Sequence, residues 1–371
     1  MADIDTAALK ENFAAVAAHG GDDVALYFYS YLFLKYPETR EMFPPSMTRQ
    51  RDRLVGALVR IVTNVDQVGE LVPYLEDLGR DHRKFGAVAA HYPAVGEALL
   101  ATLSHFSGSG WTSELHANWA AAYGVVAGAM SGAAEKVAED EPAWWDADII
   151  EADQRTFDIV VLKVRTTSVH PYVAGQSFSV EPSTLRPREW RLYTPANAPG
   201  GREIELHVRL IDGGPVSSAL VRAAAAGDKL RLGPPFGRMT LRQDSDNPLL
   251  MIAGSTGLAP MKAMINQIAR DGGRRTHLYF GARSIREIYD RKALEELSDR
   301  YPWLTVVIAI SDDTRWDGPQ GLVGDIAAEG EWSGHDVYVC GSPAMVESTI
   351  KRLISSGVPE ERIMFEEFGE A

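Results

Sequence analysis

Three polar side chains interrupt helical apolar stripes, and together they could hold and use an iron porphyrin. His82 continues the stripe of Leu71, Leu75 and Leu78 at the three- and four-residue steps of one helix face. Tyr29 sits among Leu26, Leu32 and Phe33, and Gln50 shares a face with Leu54, Leu58 and Ile61. Between them a Pro-flanked corner, Tyr36 to Pro44, carries Phe43. Taken alone, a histidine on an apolar stripe reads as a core residue. Beside a tyrosine and a glutamine its chemistry narrows. An imidazole supplies a fifth ligand to haem iron, and a phenol and an amide hydrogen-bond a bound, partly anionic dioxygen.

A second set of residues suits nucleotides. The apolar run Leu249 to Ala253 leads into Gly254-Ser255-Thr256-Gly257-Leu258-Ala259-Pro260 and then a helix. Glycines there let backbone N–H groups approach a pyrophosphate at the helix N-terminus, and Pro260 suits the first helical turn. The pattern departs from G-x-G-x-x-G and by itself describes only a tight turn. Arg191-Leu192-Tyr193-Thr194 offers a cation for phosphate, a ring and a hydroxyl. Gly213-Gly214-Pro215-Val216-Ser217 opens another helix, and Val339-Cys340-Gly341-Ser342-Pro343-Ala344-Met345 ends a strand where parallel sheets bind ligands. Arg283 or Arg286 could clamp a 2′-phosphate or simply cap a helix. Tyr289-Asp290 in the same region resembles NADH-preferring reductases.

The elements that must position these residues fall into three textures. Helical patterns fill the first part: Asp22 to Tyr36, Arg49 to Asp66, Pro73 to Phe85, Pro93 to Phe106 and Ser113 to Ala138. An acidic, Trp-containing bridge, Glu139 to Asp146, follows. Short β-rich runs come next, at Asp158 to Arg165, Gln176 to Val180, Arg191 to Thr194, Glu203 to Arg209 and Lys229 to Leu232, as in an antiparallel barrel. Apolar strands at Leu249–Ala253, His277–Gly281, Thr305–Ala309 and Asp336–Cys340 then alternate with helices, which argues a parallel α/β sheet. The expectation is an all-α domain over 1–140, an antiparallel β-barrel over 148–246 and an α/β domain over 247–371.

Composition bounds the rest. The 371 residues suit more than one domain, and 45% apolar residues are ample for real cores. With 37 basic and 51 acidic side chains the net charge is −14, a poor match for nucleic acid or anionic lipid. One cysteine, Cys340, cannot build an internal disulfide or a four-Cys cluster. Met1 to Lys10 has acids where a signal peptide needs bases, so a cytoplasmic protein without a membrane span is expected.

Across Asp148 to Gly369 the order of segments resembles the ferredoxin–NADP reductase-like flavin reductases, through R-x-Y-[ST], G-G-x-V-S, A-G-x-T-G-[IL]-A-P and C-G-x-P-x-M. The resemblance implies that Arg191 holds the FAD pyrophosphate, Tyr193 stacks on the isoalloxazine and Thr194 faces the flavin N5 edge. Leu192 and Ser177 line the same site, and Ser217 meets the pyrophosphate through its turn. Gly254, Ser255, Thr256, Gly257, Leu258, Ala259 and Pro260 would cradle the nicotinamide dinucleotide, with Cys340 and Gly341 lining its pocket.

Thr6 to Ala138 is similar to the globin domain of flavohaemoglobins, most closely at Phe28 to Phe43, where F-Y-x-x-[LM]-F-x-x-[YN]-P-E-x-[RK]-x-[MI]-F is matched. By position Tyr29 and Gln50 are the distal pair, Phe43 packs on haem and His82 is the proximal ligand. His91-Tyr92-Pro93 places Tyr92 where the family's tyrosine bonds the proximal histidine. The chain departs from the pattern in three places. The glutamate that partners that tyrosine falls on Ala134 by ungapped count, so Glu135 takes the role only if the helix slips by one residue. Asp81 replaces a lysine, and Glu367 replaces a cysteine in Phe365-Glu366-Glu367-Phe368-Gly369. Glu366 and Phe368 would lie between flavin and haem.

The resemblance implies haem b, FAD and NADH or NADPH, with NADH favoured, and conversion of NO and O2 to nitrate. A haem and flavin NAD(P)H oxidase or peroxide reductase is a second reading, and feeding a separate oxygenase is a variant of it. A gas sensor or O2 carrier with a resetting reductase is a third. Small molecules are the expected partners of a monomer or weak dimer.

Overall fold

The computed structural model describes residues 4–368, and the chain divides into two compact units, Met1–Trp144 and Trp145–Ala371. The first unit is helical: α1 Thr6–Gly20, α2 Asp23–Lys35, α3 Thr48–Thr63, α4 Val68–His82, α5 Tyr92–Ser107 and α6 Ser113–Ala138. Side-chain caps start α1 and α6, where Asp5 accepts from the Ala8 amide and Thr112 from the Leu115 amide. The helix expected from Pro73 starts earlier, at Val68, with Pro73 inside it. Pro73 has no amide hydrogen, so the Gly69 carbonyl loses its donor four residues on while the helix continues through it.

The core of this unit gathers Leu9, Phe28, Leu32, Ala98, Leu103 and Trp119. A second cluster of Leu71, Leu75 and Met130, with Leu78 and Tyr92 at its edge, joins α4 to α6. The two helices touch at Gly79, where an added Cβ would run into the Met130 carbonyl oxygen. Only glycine permits that approach, one turn before His82.

The second unit holds two sheets. Strands β1 Trp145–Gln154, β2 Ile159–Thr166, β3 Ser177–Glu181, β4 Arg191–Tyr193, β5 Glu203–Arg209 and β6 Lys229–Phe236, with α7 Pro215–Arg222 after β5, form an antiparallel sheet. Its order is β4-β3-β6-β1-β2-β5, and a Pro195–Leu206 bridge joins its two edges. The Trp-containing bridge is therefore not a linker throughout, since β1 begins at Trp145 and alternates buried Trp145, Ala147 and Ile149 with exposed acids.

The remaining elements are β7 Leu249–Gly254, α8 Leu258–Arg270, β8 Thr276–Ala282, α9 Arg291–Arg300, β9 Leu304–Ile310, α10 Val323–Ala327, β10 Asp336–Gly341, α11 Pro343–Ser355 and β11 Ile363–Glu367. Their sheet is parallel with order β11-β10-β7-β8-β9. The chain runs outward from β7 to β9, then returns to the other side of β7 as β10. The order thus reverses between β7 and β10, and the crevice at their carboxyl ends is where such sheets bind ligands. Among the described residues no helix is long and apolar enough to cross a membrane.

Candidate active site

In the helical unit α2 and α3 bring Tyr29 and Gln50 together. The Gln50 amide Nε2 donates to the Tyr29 phenol oxygen at 3.2 Å, and the phenol donates to the Gln50 backbone carbonyl at 3.4 Å. Phe33 and Phe43 enclose the ring, with centroids 5.7 Å and 5.4 Å from it. Burial pushes the Tyr29 phenol up to about 12, and the Gln50 hydrogen bond opposes that. The phenol is therefore a neutral donor at any ordinary pH.

His82 ends α4, and its Nδ1 lies 2.7 Å from the Leu78 carbonyl. A carbonyl only accepts, so Nδ1 carries the ring proton and Nε2 keeps the lone pair a metal needs. Burial lowers the imidazole below its ordinary value, and the Leu78 carbonyl works the other way. A neutral histidine is the form that ligates. Tyr92 packs in the Leu78 cluster, and its carbonyl accepts from the Tyr123 hydroxyl at 2.6 Å. Glu135 does not join this group. It is exposed on α6, one position past the half-buried Ala134, and among the described residues makes no hydrogen bond or ion pair. Asp81 pairs with Lys84 instead. Among the described residues no group of three or more His, Cys, Asp or Glu could hold a metal ion, and haem iron asks for only one side chain.

In the second unit the polar residues converge on the crevice. The Thr194 and Ser177 hydroxyls are 2.8 Å apart, and Ser177 Oγ donates to Glu366 Oε1 at 2.8 Å. That order makes Thr194 the donor to Ser177. Among the described residues Glu366 Oε2 is buried without a partner. Burial raises the Glu366 carboxyl, while Ser177 pulls it down. Burial likewise lifts the Cys340 thiol well above its usual range. Leu192 stands 48% exposed beside Tyr193, whose phenol burial raises. The Arg191 guanidinium donates to the Trp190 carbonyl at 2.7 Å. Ser217 closes the turn before α7, accepting from the Ile211 amide at 3.1 Å and donating to the Gly214 carbonyl at 3.2 Å.

The glycine-rich turn is shaped for close approach. An added Cβ at Gly257 would run into the Cys340 carbonyl oxygen. Gly254, Ser255 and Thr256 remain half-exposed, whereas Leu258, Ala259 and Pro260 are buried in the first turn of α8. Ser255 adopts φ +52°, the left-handed region, and Arg209 Nη1 donates to its hydroxyl at 3.1 Å. Phe368 closes the other side, its amide donating to the Gly341 carbonyl at 2.7 Å. An orphaned acid oxygen, a chain of hydroxyls and a cradle that only glycine allows fit a flavin and a dinucleotide.

Two readings of the sequence change here. Tyr289 and Asp290, which resemble NADH-preferring reductases, are buried, 5% and 1% exposed, so they do not meet a dinucleotide at the surface. Arg283 is tied to Glu287, with Nη2–Oε1 at 3.1 Å. Arg209 escaped sequence reasoning, its only signal being a cation ending the Glu203–Arg209 strand beside the crevice.

Three family profiles match in this order: globin over 26–130, oxidoreductase FAD-binding domain over 146–241 and oxidoreductase NAD-binding domain over 251–351. A curated flavohaemoprotein of Rhizobium meliloti is 28% identical, covering 96% of this chain and 95% of its own length. The crystal structure of a Malassezia yamatoensis flavohaemoglobin with bound FAD and haem shares the fold, with TM-score 0.76, 19% identity and coverage of 99% of this chain and 100% of that one. The FAD/NAD-binding domain of nitric oxide dioxygenase from Vibrio cholerae matches with TM-score 0.54 and 22% identity, over 61% of this chain and 99% of its own.

Proposed function

We propose that this chain, a flavohaemoprotein by its globin, FAD-binding and NAD-binding domains, is an NAD(P)H-dependent nitric oxide dioxygenase that converts NO and O2 to nitrate. Bound flavin and haem would supply the redox chemistry, the one taking a hydride and releasing single electrons, the other spending them on O2 and NO.

The protein's part is binding, orientation and proton handling. Arg191 and the Gly213–Ser217 turn hold the FAD phosphates, and Leu192 and Tyr193 cover its ring. Gly254 to Thr256, with Arg209 beside them, take the dinucleotide pyrophosphate. Thr194, Ser177 and Glu366 give a proton path of two hydrogen bonds leading away from the flavin edge. Cys340 and Gly341 narrow the nicotinamide pocket, and Phe368 seals it. In the globin unit His82 offers Nε2 to iron, Phe43 packs on the porphyrin, and Tyr29 and Gln50 donate hydrogen bonds to dioxygen.

The observation that carries this reading is the Tyr29–Gln50 pair, a buried neutral phenol and a half-buried amide donor beside Phe33 and Phe43, in one unit with a neutral histidine. Nitrate formation tests it. The purified protein loaded with haem and FAD should consume NO and O2 in equal amounts with NADH. Loss of NADH without NO consumption contradicts it.

One observation favours a second reading, O2 carriage or sensing with a resetting reductase. His82 Nδ1 faces the neutral Leu78 carbonyl rather than a carboxylate, and Glu135 stands exposed. A neutral acceptor enriches iron less than an anionic one. Slow autoxidation of the oxygenated protein with negligible NO turnover would select this reading.

A further inference from the structure

Helix α8 begins as buried as a core helix: every residue from Leu258 to Ile265 is buried, and one of them is a lysine. Lys262 is 7% exposed, and its Nζ lies 3.0 Å from Glu205 Oε1 while also pairing with Asp290 Oδ2. Both acids have further partners. Arg155 Nη1 reaches Asp290 Oδ1 at 2.9 Å, and His207 Nε2 reaches Glu205 Oε1 at 2.9 Å. The other ring nitrogen of His207 lies 2.7 Å from the Tyr289 hydroxyl. Because a carboxylate only accepts, His207 carries its proton on Nε2 and takes the Tyr289 proton in a hydrogen bond at Nδ1. Two cations thus face two carboxylates, and a neutral imidazole completes the set.

The partners come from both sheets. Arg155, Glu205 and His207 belong to the antiparallel sheet and its β1–β2 connection, whereas Lys262, Tyr289 and Asp290 belong to the parallel half. Lys262 stands just over one turn into the helix that opens at the glycine-rich turn. A largely buried ion network tolerates little displacement, because shifting either side leaves buried Lys262 or Asp290 without its counter-charge. We infer that Lys262, through Glu205 and Asp290, is a positioning residue for hydride transfer, holding the dinucleotide turn in register with the flavin-bearing sheet. The inference rests on the reading above that Gly254 to Pro260 takes the nicotinamide dinucleotide. Register matters because a displacement near 1 Å at the reacting atoms can slow a reaction by about a hundredfold.

The test is anaerobic stopped-flow reduction of the FAD-loaded full chain by NADH, with parallel titration of the nicotinamide–flavin charge-transfer absorbance. Lys262→Met should keep its FAD and bind NADH within about threefold of the parent, while the limiting reduction rate falls at least tenfold and the charge-transfer band weakens. Arg209 and the turn itself are untouched, so binding and rate should separate. The double variant Lys262→Met/Asp290→Asn removes one charge of each sign and answers the question if the single variant does not fold. It should also bind FAD and reduce slowly. A folded variant with the parent's limiting rate and band would overturn the inference. Loss of FAD from both variants would overturn it too, by making the network a folding element. A parent chain whose flavin NADH does not reduce would instead refute the functional reading beneath it.

Discussion

Ser177 donates its hydroxyl to Glu366 Oε1 at 2.8 Å, joining the third strand of the antiparallel sheet to the last strand of the parallel one. The contact spans 189 positions of chain, and among the described residues the acid's other oxygen is buried and unpartnered. A buried carboxyl with a single donor prefers to hold its proton. Burial raises Glu366, so the folded chain binds this proton more tightly than the unfolded chain. Its stabilising contribution is then fully present below the ordinary carboxyl value and is lost as pH rises through the raised one. Glu366→Gln should raise the Tm of the second unit at about pH 8 and leave it unchanged near pH 4. The same variant should lose any pH dependence of NADH-driven flavin reduction that belongs to this acid. An equal Tm shift at both pH values would contradict the assignment.

Tyr29→Phe removes a neutral, buried donor while keeping the ring that Phe33 and Phe43 enclose. A hydrogen bond of about 1–2 kcal/mol to bound dioxygen corresponds to O2 dissociation faster by roughly 5- to 30-fold. Displacement of O2 by CO in a stopped-flow instrument reads that rate. Gln50→Leu should act in the same direction but less, since the Tyr29 phenol keeps its own proton to donate. An unchanged O2 off-rate in Tyr29→Phe would place the phenol outside the ligand's reach.

Much of this site was legible because its signals are local. Gly254 to Pro260 follows an apolar strand and opens a helix, and Arg191 to Thr194 carries its chemistry in consecutive residues. Tyr29, Gln50 and His82 each break an apolar helical stripe. What stayed hidden depends on partners far along the chain. Lys262 looks like a lysine whose stem lies along an amphipathic helix, and nothing nearby announces Glu205 or Asp290. Tyr289 and Asp290 invited a cofactor role because burial cannot be read from two residues in a polar stretch. β1 was masked by its acids, although Trp145, Ala147 and Ile149 already alternate with them. Glu366 was legible by its position, but its orphaned oxygen was not.

Gly79→Ala tests how closely α4 must lie on α6. The new methyl would meet the Met130 carbonyl, which belongs to helix backbone and cannot rotate aside. Overpacking of this kind costs about 1–3 kcal/mol, so the first unit should melt several degrees lower and release haem faster. Reduction of ferricyanide by NADH should be unchanged, because FAD and the dinucleotide belong to the other unit. Unaltered melting would show that the two helices can separate at this point without loss.

Glu287→Gln tests what the Arg283–Glu287 pair does for dinucleotide choice. Glu287 holds Arg283 at 3.1 Å and neutralises the cation nearest the end of β8. With that carboxylate removed, the exposed guanidinium becomes available to a 2′-phosphate. The ratio of kcat/KM for NADPH over NADH should rise ~10-fold, mostly through KM for NADPH. A ratio that stays put would mean that Arg283 does not face the ribose.

On the proposed function, nicotinamide, flavin and haem are wired within one chain. An anaerobic absorption spectrum of the purified protein, taken before and after NADH and then under CO, tests it most directly. NADH alone should bleach the flavin, and under CO the haem Soret band should shift to its ferrous CO form. Flavin bleaching with an unmoved Soret band would contradict it, and would leave a flavin reductase joined to a globin that receives no electrons.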